Sequence, residues 1–307
     1  MGRGRSFIVA AAIAVGVAGC GLGAGTGTGD VSVNVTRNFG TTQVAGVRQA
    51  KVPGSETVMR MLQRHFRVST RYGGGFVESI NGISGSPSHR DWFYYVNGVQ
   101  GGKGAALTAV HRGDRIWWDL HDWRAAESIP AVVGAFPEPF LHGVGGRRLP
   151  TTIECAPEVT RSCQRVSNEL SSEHVPVATQ LLGTGSGTDS LAVVVGTWRD
   201  IRPEIVASLV EQGPSASGVY ARFAGSRGNV LELLNPRGQV VRRLRSRAGL
   251  IAATAQGSAE PTWLVTGTDA AGVASAAAAF TPSALRDRFA VAVSGATQLP
   301  LPLDAGT

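Results

Sequence analysis

Trp92-Phe93-Tyr94-Tyr95-Val96-Asn97-Gly98 and, further on, Arg115-Ile116-Trp117-Trp118-Asp119-Leu120 decide the fold of the first part of this chain. Aromatic and β-branched residues favour strands, and Asn-Gly after such a run is a hairpin turn. The two runs therefore predict strands of a small antiparallel sheet. Alternation puts Trp92, Tyr94 and Val96 on one face, and Phe93 and Tyr95 on the other. In the second run Trp118 falls with Ile116 and Leu120, and Trp117 opposes them. One face has to pack on a helix. The other is either covered by the rest of the chain or open. An open face would offer π-surface with phenol handles to a planar macrocycle, a sugar ring or a peptide.

Working outward, Val31-Ser32-Val33-Asn34-Val35 is a period-two strand, and residues 43–52 are a candidate hairpin partner. Pro53-Gly54-Ser55 opens a helix, with Ser55 as N-cap and Glu56 at the positive end of its dipole. Val58, Met61, Leu62, His65 and Phe66 share one face of that helix. On such a face His65 reads as a satisfied core histidine. Phe76 to Ile80 is a further strand, closed by a turn at Asn81-Gly82. Strands, a helix and more strands make this part α+β.

Four segments carry a resemblance: Ser55-Glu56-Thr57-Val58, Phe76-Val77-Glu78-Ser79-Ile80-Asn81-Gly82, the Trp92 run, and Val110-His111-Arg112-Gly113-Asp114-Arg115-Ile116. In this order and spacing, residues 31–123 resemble the transcobalamin-like C-terminal domain family. That family occurs on bacterial surface proteins and as the small β domain of cobalamin carriers. The resemblance implies a grasp-like α+β topology. If it also implied ligand contact, this would run through Trp92, Tyr94, Tyr95 and the Gly101-Gly102 turn, with Trp118 on the same aromatic surface. The carriers hold cobalamin between this domain and a helical barrel, and no barrel-sized helical stretch is read here. No cofactor is therefore assigned.

Arg3 and Arg5 precede an apolar run from Phe7 to Val17, which ends in Val17-Ala18-Gly19-Cys20. This is the pattern of a secretory signal (1–19), too short to span a bilayer. A cysteine directly after the small residues points to a bacterial lipoprotein acylated on Cys20; the alternative is an ordinary signal with a chance cysteine. Residues 20–30, rich in Gly and Thr, read as a flexible tether. The expected location is the extracytoplasmic face of a cell membrane, with the lipid as membrane partner. Cys155 and Cys163 remain, either as a disulfide or as two free thiols. A bridge can close if Cys155 ends a strand and Cys163 lies on the next helix. The net charge of +7 is nearly all arginine, since Lys51 and Lys103 are the only lysines. An Arg, Ala and Gly bias with so little Lys reads as a GC-rich genome rather than a nucleic-acid site. A mildly basic surface facing anionic lipid or wall polymer is the functional reading, and plain solubility charge the other.

Residues 124–148, rich in Pro and Gly, read as a linker or an extended strap. Residues 149–307 read as an α/β domain with some parallel pairing. Its elements are a strand at Thr151–Cys155, a helix over 157–172, a loop over 181–190, a buried strand over 191–197 and a helix over 200–212 with Ile205 and Leu209 on its apolar face. Four short strands follow, within 218–223, 230–234, 239–244 and 250–255. Trp263 to Asp269 then feeds an Ala-rich helix. Val195-Gly196-Thr197 and Thr266-Gly267-Thr268 form a weak repeat, placed where ligands sit in open α/β sheets or simply capping helices.

There is no G-x-S-x-G, H-E-x-x-H or G-x-x-x-x-G-K-[ST]. The Gly183-to-Gly187 loop precedes a strand, the wrong context for a phosphate cradle. His111, Asp119, His121 and Asp122 match no metal-ligand spacing. The sequence thus reads as a non-catalytic binding protein, taking a small molecule or an envelope partner on the aromatic face or between the domains. The alternative is a structural or adhesive surface protein contacting protein or wall glycan. An enzyme using the βα ends near Thr197 and Asp269 is the third reading, and it lacks a nucleophile–base pair.

Overall fold

The computed structural model describes residues 1–2, 30–86, 89–187 and 189–304. The signal and tether readings, Cys20 included, fall on residues outside the described ones, apart from Met1, Gly2 and Asp30. The chain is α+β.

The hairpin of β1 (Val31–Arg37) and β2 (Thr42–Gln49) leads into α1 (Val58–His65). A small sheet of β3 (Val68–Arg71), β4 (Phe76–Ile80) and β5 (Ile83–Ser84) follows, then β6 (Arg90–Val96), β7 (Val99–Gln100) and β8 (Arg115–Asp122). The main sheet runs β2-β1-β8-β6-β7, with β8 parallel to β1 and antiparallel to β6. A hairpin, a helix and a last strand returned parallel beside the first give the grasp-like order. Asn97 and Gly98 both take positive φ, as a two-residue hairpin turn requires.

Two local expectations change. The N-cap is Thr57, whose hydroxyl accepts the Arg60 amide at 3.2 Å, and Ser55 belongs to the turn before it. Glu56 is buried and pairs with Arg64 at 2.5 Å. Val58, Met61 and Leu62 are fully buried, but His65 at the helix end is exposed and bonds Gln49 at 2.9 Å. It is not a core histidine.

The second half carries β9 (Thr151–Cys155), α2 (Thr160–Ser172), β10 (Val177–Leu181), β11 (Leu191–Thr197), α3 (Trp198–Ile201), α4 (Ile205–Gln212) and α5 (Pro214–Ser217). Next come β12 (Ala221–Ala224), β13 (Val230–Leu234), β14 (Val240–Leu244), β15 (Ala248–Thr254), β16 (Thr262–Gly267), α6 (Ala270–Ala278), α7 (Pro282–Leu285), β17 (Ala290–Ser294) and β18 (Thr297–Leu301). One sheet runs β10-β9-β11-β16-β15-β17-β18, its first four strands parallel and its last three antiparallel. Both faces are covered, which is why β11 reads as an unbroken apolar run. On one face α2 and α6 pack through Val166, Leu170, Val273 and Ala276. Cys155 at the end of β9 and Cys163 on α2 form a disulfide. The helix expected over 200–212 is broken at Pro203, which cannot supply the interior N–H. Ala207 and Val210 become its buried residues, and Ile205 is 59% exposed.

Residues 124–148 are no free linker. Ala126, Ile129, Ala131, Val132, Val133, Ala135, Phe136 and Phe140 are all buried. The strap bonds both halves: Val132 N–H donates to Gly98 O at 2.8 Å, and Val133 N–H donates to Phe289 O at 3.2 Å. A single core then joins the back of the first sheet (Phe39, Tyr95, Trp117) to Tyr220, Leu250 and Phe289 of the second half.

Candidate functional site

The aromatic strands have no open face. Trp92, Tyr94 and Trp118 pack with Val58, Met61 and Leu62 in the core under α1. Tyr95 and Trp117 point the other way, into the core shared by the two halves. Exposures are 5% for Trp92, 8% for Tyr94, 0% for Tyr95 and 2% for Trp118, so none of the four presents a ring to a ligand. The expectation of an aromatic binding face is corrected on this point. The alternation of the strand holds, but both faces are covered, because the second half and the strap bury the side that α1 does not.

The covered side is organised around Phe289. Its ring stands edge-on to Phe39 (5.2 Å), Tyr95 (5.6 Å), Trp117 (5.1 Å) and His121 (5.3 Å). Beside it the buried Asp119 carboxylate accepts from the Thr36 hydroxyl (2.5 Å), the Phe39 amide (3.0 Å) and the Gly40 amide (2.9 Å), and meets His121 Nδ1 at 2.9 Å. Such a network is costly to disrupt and orients the interface. Burial pushes the Tyr95 phenol well above its ordinary range, with Asp119 and Tyr220 adding to the effect. Asp119 and His121 are therefore interface residues, while His111 faces Asp114 at 3.5 Å and Asp122 pairs with Arg124. Among the described residues, no group of three or more His, Cys, Asp or Glu side chains is placed to hold a metal ion.

Gly101 and Gly102 have different fates. A Cβ on Gly101 would sit 1.9 Å from the Tyr94 ring, so this glycine lets the turn close over Tyr94. The Tyr94 hydroxyl donates to Lys103 O at 2.5 Å and contacts Thr108 Oγ1 at 2.8 Å. Gly102 is exposed, with nothing within 4 Å of its Cβ position. Both glycines line a groove of about 450 Å³ between the two halves. The opposite wall is the Ala255-to-Glu260 loop, with Ser128 and Pro130 of the strap between. The lining is small and largely uncharged. Glu260 pairs at 3.4 Å with Arg147, which also faces Asp189 at 3.6 Å. The volume falls within the range of small-molecule sites.

The βα ends are occupied by their own structure. Thr197 caps α3 in a reciprocal box with Asp200, its hydroxyl 2.5 Å from the carboxylate. Asp269 caps α6 by accepting the Gly272 amide at 2.8 Å, and it also accepts the Arg247 amide at 2.9 Å. The Gly183 and Gly185 amides serve the buried Glu154 carboxylate. Burial holds that carboxylate above its ordinary range, Glu204 adds to this, and the two amides offset part of it.

A family model described as a domain of unknown function (DUF4430) matches residues 55–122. These residues run from the turn before α1 to the end of β8, so they include the buried aromatic strands and the Gly101-Gly102 turn. No curated protein matches the chain. A solved structure from Ruminococcus gnavus, described as a "putative metal binding protein", aligns at 16% identity over 30% of this chain and 96% of its own, with a TM-score of 0.26. That likeness is too weak to carry an argument. Among the described residues no helix is long and apolar enough to cross a membrane.

Proposed function

We propose that this chain is an extracytoplasmic, lipid-anchored, non-catalytic binding protein that takes a small molecule in the groove between its halves. One observation carries the reading. The Gly101-Gly102 turn lines that groove, the one place where a ligand contact, if the transcobalamin-like resemblance implies any, stays accessible, since the aromatic residues of the same set are packed away. The shared core around Phe289 ties together the two halves that supply the walls. The lipid anchor rests on the Val17-Ala18-Gly19-Cys20 pattern, and the Cys155–Cys163 bridge fits an oxidising compartment. The non-catalytic reading is supported by Thr197 and Asp269, each committed to a helix cap.

Equilibrium dialysis of the full chain against hydroxocobalamin, haemin and muramyl dipeptide tests the reading. A bulky residue on the exposed groove wall, Ser258→Trp, supplies the control. Saturable uptake of one probe by the wild type, lost in Ser258→Trp, is the expected result. No uptake of any probe would turn the reading to the structural or adhesive alternative.

A further inference from the structure

Five tryptophans, Trp92, Trp117, Trp118, Trp198 and Trp263, are buried in the cores; Trp123 is not. It borders a separate pocket of about 220 Å³ at the open edge of the first half, lined by Arg71, Phe76, Glu78, Ser84, Asp91 and Trp123, among others. At ~30 Å³ per water this is room for about seven waters, the scale of one six-membered sugar ring. The indole is held rigidly. Its Nε1 donates to Asp91 Oδ2 at 2.8 Å, its backbone N–H donates to His89 O at 3.0 Å, and the His89 ring stands at 82° to it with centroids 4.7 Å apart. Gly85 lets the pocket's rim pack against the Arg90 backbone: a Cβ there would meet Arg90 O at 2.4 Å and the Asp91 carboxylate at 3.2 Å.

The charges of the lining choose the ligand class. Arg71 bonds Glu78 across the β3–β4 pair, holding that carboxylate below its ordinary range. Arg71 and Glu78 neutralise each other, and the further carboxylate, Asp91, already accepts the Trp123 indole N–H at 2.8 Å, so the lining presents no uncommitted charge to a charged ligand. What remains is a mixture of donors and acceptors beside two aromatic rings, Phe76 and Trp123. A neutral polyol suits that mixture, because every hydroxyl both donates and accepts, while the C–H face of a pyranose suits an aromatic ring. We infer that the Trp123 pocket binds one neutral pyranose unit of a glycan.

Calorimetric titration of the full chain with maltotetraose, cellotetraose and chitotetraose tests this, with choline chloride as the cation comparison. A saturable signal is expected from at least one oligosaccharide. Trp123→Ala should weaken it at least about tenfold, while Trp123→Phe, which keeps a ring, should retain most of it. Glu78→Gln turns one carboxylate oxygen into an amide donor and weakens the Arg71 pairing without touching the core, and it should weaken binding several-fold, giving a readout independent of any folding defect at position 123. Saturation by choline alone, silence from all three oligosaccharides, or binding indifferent to both Trp123→Ala and Glu78→Gln would overturn the inference. Ser258→Trp, which blocks the interdomain groove, should leave saccharide binding unchanged, so failure here and failure of the groove reading are separable.

Discussion

Phe289→Ala should destabilise both halves of the chain together. Phe289 is 3% exposed and touches Phe39, Tyr95, Trp117 and His121, all from the first half, although it lies just before β17 in the second. Truncating a core phenylalanine costs about 3–5 kcal/mol, and edge-on aromatic pairs add about 0.5–1.5 kcal/mol beyond area. A loss of about 4 kcal/mol is therefore expected. With an m-value of about 3 kcal/mol/M in urea, the midpoint falls by about 1.3 M. The assay is urea unfolding followed by tryptophan fluorescence, which reports Trp92, Trp117, Trp118 and Trp123 from the first half and Trp198 and Trp263 from the second, alongside far-ultraviolet circular dichroism. Because the core is shared, wild type and variant should each unfold in one transition with coincident probes, and m should be unchanged. Two separated transitions in the wild type, or a shift confined to one of them, would refute the shared core and with it the tie between the groove walls.

Three further outcomes follow from local geometry. Replacing both Cys155 and Cys163 by Ala opens a loop with a sequence separation of 8 and should cost about 2.5 kcal/mol, seen as a lower melting temperature under non-reducing conditions. Gly101→Ala should destabilise by about 1–3 kcal/mol through collision with the Tyr94 ring, while Gly102→Ala stays within about 0.5 kcal/mol; thermal melts of the pair decide it. His142 is held above its ordinary range by its bond to the buried Glu138 at 2.6 Å, against the opposing effect of burial. A raised histidine stabilises fully below its unfolded value of about 6.5, and that stability is lost as pH rises through the folded value. Urea midpoints should therefore fall with rising pH in the wild type, and this slope should be absent in His142→Gln.

Much of the architecture was legible because local pattern and tertiary role agree. β1, β4, β6, β8 and β11 were readable from alternation or continuous burial, and the Cys155–Cys163 bridge from a strand followed by a helix. The misreadings share a cause. His65 has helical spacing but sits where α1 ends, so periodicity assigned it to a face that stops short of it. Ile205 and Leu209 were assigned on one continuous helix, and the break at Pro203 resets the phase to Ala207 and Val210. β10, a half-exposed edge strand, has too few apolar residues to stand out, and β17 and β18 are not among the strands predicted from the sequence. The site was less legible still. Alternation assigns Tyr94 and Tyr95 to opposite faces, but what covers each face depends on Phe289, almost two hundred residues along the chain. Gly101 and Gly102 look equivalent in sequence, and only the Tyr94 ring separates a packing glycine from a groove glycine.

The most direct test of the account places a fluorophore in the groove. Gly102→Cys puts a thiol on an exposed wall with nothing within 4 Å, and Cys20→Ser leaves it the sole free thiol beside the Cys155–Cys163 bridge. The labelled chain is titrated with hydroxocobalamin, haemin and muramyl dipeptide, with inner-filter correction for the absorbing probes. The account predicts a saturable change with one of the three, absent when Ser258→Trp is added. A flat response to all three, or a response that Ser258→Trp leaves intact, would contradict it.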